Sequence, residues 1–276
     1  MMLAAFLGAL VGLILGLTGA GGSVIAVPLL IWGMGWTLPQ AAPTALLAVS
    51  AAATLGTLSA WPQGIVRYRA ALVMSGAGLL TAPLGLTAAH WLPLPILSSG
   101  FALVLLYVSV RMILRARTAP EESKIVRAGL KGEQENPSEP VCKMNPATGR
   151  LRWTRPCALA ISSGGLTTGF LSGLLGVGGG FVIVPILRAV SDLSFHSAVA
   201  TSLMAIALTS AGTVAISITK GQPLDLMIAA PFVGGALAGM LLGRLTASRL
   251  AGPKLQTGFA CLMLMIAAGM FWQALA

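Results

Sequence analysis

Two glycine clusters, Gly19, Gly21 and Gly22 near the start of the chain and Gly176, Gly178, Gly179 and Gly180 in its second part, lie inside long uncharged apolar stretches. A glycine inside a helix costs about 1 kcal/mol relative to alanine, so four together cost about 4 kcal/mol and the spacing predicts that the helix opens there. Backbone opened inside a hydrocarbon layer has to hydrogen-bond to protein, water or ligand, because each unsatisfied group costs several kcal/mol. Half-helices starting afresh at Ser23 and Phe181 would turn free N–H groups and a positive dipole end toward the break. That arrangement holds an anion. Pro28 and Pro185 lie beyond the glycines and shape the second arm of each break. Hydroxyls at Thr18, Ser23, Thr44, Thr201 and Ser202 supply neutral donors for an oxyanion. A tight turn without ligand, with the hydroxyls spent on capping and interhelical bonds, is the competing reading. The candidate substrate-binding set is Thr18, Gly19, Gly21, Gly22, Ser23, Thr44, Gly176, Gly178, Gly179, Gly180, Thr201 and Ser202.

Residue types missing from the apolar stretches narrow the chemistry. No carboxylate falls inside them, since Asp192 and Asp225 both sit at predicted helix ends. An intramembrane carboxylate is the usual proton or cation relay, so its absence argues against a cation antiporter and for an anion permease. His90 and His196, the side chains that titrate near neutrality, also fall near ends and read as solvated interfacial groups. Cys142, Cys157 and Cys261 show neither metal-ligand nor CxxC spacing, so neither a metal nor a disulfide framework is expected. No cofactor is implied, and no constellation of His, Asp, Glu and Cys points to enzymatic chemistry.

The elements that must position the glycines follow from composition. Hydrophobic residues make up 56% of the chain and charged residues 9%, and the first 66 residues contain no Asp, Glu, Lys, Arg or His. A helix needs roughly 20 apolar residues to cross about 30 Å of hydrocarbon. Uncharged blocks run over 1–31, 40–66, 70–89, 91–110, 156–187, 197–219, 226–243 and 255–276. They do not alternate in polarity, which rejects a β-barrel. The class is all-α, a polytopic helical membrane protein. The N-terminal stretch lacks a basic leader region and is read as part of the fold and not as a cleaved signal.

The chain is also a tandem repeat. Gly8 to Pro28 returns 157 residues later as Gly165 to Pro185, reproducing Gly8, Gly12, Gly16, Leu17, Gly19, Gly21, Gly22, Val27 and Pro28; the same offset pairs Thr44 with Thr201. Gly8, Gly12 and Gly16, like Gly165, Gly169 and Gly173, fall on one helix face and read as sites of close helix packing. Residues 1–115 form a first transmembrane repeat, 116–155 a partly disordered cytoplasmic linker, and 156–276 a second repeat. Ten of the 17 Lys and Arg residues lie between Arg111 and Arg155, where the positive-inside rule and contact with anionic headgroups account for them. Nucleic acid is not an expected partner. A small anionic substrate and the lipid bilayer are.

Orientation turns on the first block of each half. If that block crosses once, the halves are parallel and Arg188, Arg244, Arg249 and Lys254 all fall outside, against the charge rule. If it folds back as a hairpin, an odd number of crossings remains and the halves are inverted. Then Arg67, Arg69, the linker, Arg188, Arg244, Arg249 and Lys254 are cytoplasmic and Lys220 is outside. The charges favour two inverted repeats, each a Gly-broken helical hairpin followed by three transmembrane helices.

The doubled motif LTGAGGSVIAVPLL and LLGVGGGFVIVPIL, each followed by A-x-x-T at Ala41 to Thr44 and at Ala198 to Thr201, resembles the sulfite exporter TauE/SafE family. The resemblance covers both halves and leaves out the linker. It implies a multi-pass cell-membrane permease for small sulfur-containing or carboxylate anions, such as sulfite or an organosulfonate. Its glycine motif maps onto Gly16, Gly19, Gly21 and Gly22 and onto Gly173, Gly176, Gly178, Gly179 and Gly180, with Ser23 standing where the second half has Gly180. An anion channel of the same architecture and a transporter of a small carboxylate are the alternatives.

Overall fold

The computed structural model describes residues 1–110, 141–145, 150–250 and the helical positions of 258–269, apart from isolated positions such as 20, 94–95, 152 and 222–223. The stretch 111–140, on which the expectation of partial disorder falls, lies outside the described residues. The helices are α1 (Met2–Thr18), α2 (Gly21–Met34), α3 (Leu38–Ala60), α4 (Tyr68–Trp91), α5 (the helical residues of 96–110), α6 (Arg155–Leu175), α7 (Gly180–Val190), α8 (Phe195–Thr219), α9 (Leu226–Leu250) and α10 (the helical residues of 258–269). Among the described residues, five helices are long and apolar enough to cross a membrane: α3, α4, α6, α8 and α9. The protein is therefore the all-helical membrane type that its composition predicts.

Local chemistry starts the helices where the sequence places polar caps. The Gln40 side chain accepts from the Thr37 N–H at 3.2 Å ahead of α3, the reach-back half of a capping box. Thr154 Oγ1 accepts from the Cys157 N–H at 3.3 Å with Pro156 in the first turn of α6. Asp225, one of the two acidic residues outside the linker, accepts from the Met227 N–H at 3.0 Å to open α9.

Packing crosses between the halves. Helix α1 lies along α9, α6 along α4, and α3 against α8. A Cβ placed at Gly8 or Gly12 would strike the backbone of Phe232 or Ala236 on α9, and one at Gly165, Gly169 or Gly173 would strike Met74, Gly78 or Ala82 on α4. The four-residue glycine spacing thus does what lipid-embedded packing asks of it and lets backbones touch. Helix α9 answers with Gly235, Gly239 and Gly243 against the carbonyls of Ala5, Ala9 and Leu13.

Helices α3 and α8 run in opposite senses. Ser50 Oγ donates to the Ala207 carbonyl at 3.0 Å, and further along α3 the position of a Cβ on Gly56 meets the Leu203 side chain, earlier on α8. At the start of α8, Ser197 Oγ donates to the Ile65 carbonyl at 2.6 Å, and Thr201 Oγ1 accepts from the Arg67 N–H at 3.0 Å. The α3–α4 turn therefore sits on the first turns of α8. From α9, the Arg244 guanidinium donates to the Gly56 carbonyl and to Ser59 Oγ near the end of α3.

The described end of the linker is held on the second half. Met144–Asn145 pairs antiparallel with Arg150–Leu151, and the Cys142 N–H donates at 2.9 Å to the carbonyl of Val190, the last residue of α7. Cys142 is joined to Cys157 by a disulfide with a Cα–Cα distance of 5.0 Å. This corrects the expectation that the cysteines stay unpaired. The ribbon turns the chain back on itself, so residues 15 apart meet, a juxtaposition that their spacing alone does not reveal. Cys261 is free and exposed.

Candidate site at the paired helix breaks

Both glycine clusters interrupt their helices. Helix α1 ends at Gly19, whose φ of 75° is left-handed and whose N–H donates to the Leu15 carbonyl at 2.7 Å; α2 begins two residues later. Helix α6 ends at Gly176 (φ 66°), and Gly178 (φ 76°) and Gly179 (φ 64°) lead into α7. Only glycine adopts these dihedrals without strain, so the cluster is a requirement of the turn.

The breaks are packed. Gly19 lies against the Val199 side chain of α8, and Gly176 against Ala42 of α3. A Cβ on Gly178 would lie 2.5 Å from Ser210 Oγ and 3.6 Å from Leu46, and one on Gly179 would strike the Thr168 carbonyl. A bulky residue at Gly179 therefore does more than block backbone donors. With a left-handed φ and a backbone carbonyl in the way, a leucine there disturbs folding as well.

Where the two hairpins meet, α2 and α7 face each other by their first turns. A Cβ on Gly180 would lie 3.1 Å from Ser23 Oγ, and both residues are buried. Ser202 Oγ donates to the Val199 carbonyl at 2.8 Å and reaches the Gly19 carbonyl at 3.4 Å, so it stands beside the first break. Thr18 Oγ1 donates to the Ile14 carbonyl of its own helix at 2.7 Å. Thr201 is engaged by the α3–α4 turn. Thr44, in α3, lies two residues from both Ala42 and Leu46, which face the second break; at 100° per residue its side chain points to the other side of the helix. Its Oγ1 is buried without a hydrogen-bond partner among the described residues. The structure thus brings together Ser23, Ser202 and the glycines of both breaks and leaves Thr44 apart.

Ser210 is the residue that the sequence did not disclose. Along α8, Thr209, Thr213 and Ser217 donate to the carbonyls of Ala205, Thr209 and Thr213 at 2.8, 2.7 and 2.9 Å, the back-bonding by which a hydroxyl in a helix interior usually satisfies itself. Ser210 makes no such bond. Its Oγ is fully buried, has no partner among the described residues, and points at Gly178 just before α7 begins. Its counterpart 157 positions earlier is Ala53, so the repeat gave no signal for it. The groups gathered here carry no formal charge, and any field for a ligand comes from peptide N–H groups, helix starts and hydroxyls.

The sulfite exporter TauE/SafE family model matches residues 4–270, which takes in both breaks and every helix that carries them. The chain belongs to the sulfite exporter TauE/SafE family. It is 31% identical over 271 residues to a "Probable membrane transporter protein" of Xylella fastidiosa strain 9a5c, a match covering 97% of this chain and 93% of that one. A protein of the same description from the Temecula1 strain is 30% identical over 272 residues, with the same coverage. A shorter match, 36% over 92 residues, links 29% of the chain to 34% of a "Probable membrane transporter protein" of Methanocaldococcus jannaschii. No solved structure matches the chain. This TauE/SafE family member is a multi-pass membrane transporter.

Proposed function

We propose that this permease carries a small oxyanion, sulfite or an organosulfonate, bound in the cell membrane where α2 and α7 begin, between two inverted repeats. The observation that carries the reading is the apposition of Ser23 and Gly180. They occupy equivalent positions 157 residues apart, so the two helix starts converge on each other and add their positive ends at one buried point. The unpartnered Ser210 hydroxyl is a ready neutral donor beside that point. Without a carboxylate or a lysine, the site suits a ligand whose charge is spread over several oxygens.

The opposite senses of α3 and α8 support inversion. So does the clustering of cations, because Arg67 and Arg244 are both tied to the far end of α3 or the start of α8, while Lys220 follows the last turn of the 25-residue α8, about 37 Å away along that helix. On this reading the linker end is cytoplasmic.

Flux in proteoliposomes with sulfite, sulfoacetate, taurine, sulfate and lactate tests the reading. Saturable movement of sulfite or sulfoacetate supports it. Movement of lactate alone makes the protein a carboxylate carrier, and flux that never saturates makes it a channel. Movement of none of the five overturns the anion reading.

A further inference from the structure

A surface cavity of about 260 Å³ opens at the α3–α4 turn, lined by Trp61, Gly64 and Arg67 from the turn, by Arg69 from the start of α4, and by Leu151 and Trp153 from the linker end. Two cations share this hollow, and the described residues supply no carboxylate to its wall. Arg67 is half-buried, and its Nε is sequestered from solvent with no hydrogen-bond partner among the described residues. A buried guanidinium N–H left unmade is costly, and an anionic oxygen is the partner that satisfies it best. The backbone of the same residue is already spoken for, since its N–H donates to Thr201 Oγ1 at 3.0 Å. Thr201 adjoins Ser202, which reaches the Gly19 carbonyl at 3.4 Å. One residue of α8 thus separates the cavity wall from the first helix break.

We propose that the Arg67–Arg69 cavity is a loading site for the transported oxyanion on the linker face, built to attract it and pass it along α8 to the break. This rests on the anion reading above. The site has no twin, because the positions 157 residues after Arg67 and Arg69 are Leu224 and Leu226. The two mouths of a pseudo-symmetric carrier therefore differ in charge, and the anion is gathered preferentially from the linker side. Cationic hollows raise local anion concentration and on-rate, an effect that salt screens.

The test uses the full chain in phosphatidylcholine proteoliposomes, with sulfite as probe and orientation fixed by protease protection of the linker. Arg67→Gln leaves the backbone bond to Thr201 in place and removes a side-chain donor with no partner among the described residues, so detergent-solubilised melting is expected to stay at the wild-type value. Half-saturation for sulfite presented to the linker face should rise about tenfold, as for loss of a charge-assisted contact, and should depend less steeply on ionic strength because one of the two cations is gone. Half-saturation on the other face should not change. Arg69→Gln should shift the same quantities in the same direction and serves if Arg67→Gln misfolds. Wild-type half-saturation and salt dependence in both variants would overturn the loading site while leaving the anion reading intact. The loading site is equally overturned if the variants change flux only when phosphatidylglycerol is added, since the cavity then takes a lipid headgroup. Movement of neither sulfite nor sulfoacetate by the wild-type protein would overturn the underlying reading itself, and movement of sulfoacetate alone makes sulfoacetate the probe for the same comparison.

Discussion

Ser50 Oγ donates at 3.0 Å to the main-chain carbonyl of Ala207, the residue that stands at Ser50's own position in the second repeat. Ser23 and Gly180 are related in the same way. If the halves are inverted as proposed, a residue touches its own counterpart only near the axis relating them, and these pairs mark two points on that line, through the crossing of α3 and α8 and through the facing starts of α2 and α7. A ligand on that line meets both halves at once, whichever face it came from. On the same proposal, departures from equivalence, such as Ser210 where the first half has Ala53, are where the two halves would divide their work.

Ser210→Ala is expected to weaken sulfite-induced thermal stabilisation by about tenfold in half-saturating concentration, the scale of one hydrogen bond to a charged group. The melting temperature without sulfite should hold or rise, since a buried hydroxyl with no partner is removed. Ser217→Ala, which breaks a bond to the Thr213 carbonyl, is the contrasting variant and should leave sulfite affinity alone. Unchanged affinity in Ser210→Ala would remove this residue from the site.

Gly169→Leu and Gly179→Leu should both lower the yield of folded protein, the first by forcing α6 off α4 and the second through its left-handed φ and the Thr168 carbonyl. Each overpacking change is expected to cost at least 1–3 kcal/mol, roughly. Gly76→Ala and Gly234→Ala have open space within 4 Å and lie inside helices, so they should melt at or above the wild-type temperature. Size-exclusion profiles and melting in one detergent decide between these outcomes.

Deleting residues 119–138 with a short flexible replacement should preserve flux. Extending the deletion through Leu151 should not, because Cys142 is fully buried against the end of α7 and Leu151 is buried with it. Flux and surface abundance measured on both deletions check the boundary.

Reporter fusions should place Lys131 and Arg249 in the cytoplasm and Lys220 outside. An external signal at Arg249 would restore the parallel arrangement of halves.

The same orientation makes a prediction for the Cys142–Cys157 pair. Disulfides are rare in the cytosol, and a linker rich in cations belongs there. Acid-quenched cells should therefore yield all three cysteines in thiol-reactive form once the protein is denatured, with the bridge forming on oxidation of the purified protein. A bridge already present in quenched cells would put the linker on an oxidising face and reverse the orientation.

Much of this molecule is legible in its sequence. Glycine every fourth residue in an apolar run has one economical use in lipid, and Gly8, Gly12, Gly165 and Gly169 have it. The helix breaks were legible because several glycines crowd into a span too short for a packing stripe. Thr44 and Thr201 part company, since a matched pair in a repeat suggests a shared role while, among the described residues, only Thr201 has a partner, the Arg67 N–H. Ser210 was invisible because a serine among apolar residues of α8 looks like Thr209, Thr213 and Ser217, and only the missing back-bond distinguishes it. The Cys142–Cys157 contact depends on a ribbon of four paired residues, too short for any hydrophobic period to announce.

The laying of α1 on α9 also constrains how the protein is made. The glycine ridge of α1 leaves the ribosome with the first 18 residues, while its partner begins at Leu226. At 5–20 residues per second that is an interval of about 10–40 s. Throughout it the first half waits in the bilayer with a backbone-exposing groove facing lipid, open to any passing helix with small residues. The nascent chain needs a guardian for that interval, whether the insertion machinery or the helices already beside it, and a ribosome stalled between Thr219 and Leu226 should leave α1 crosslinkable to whichever one serves.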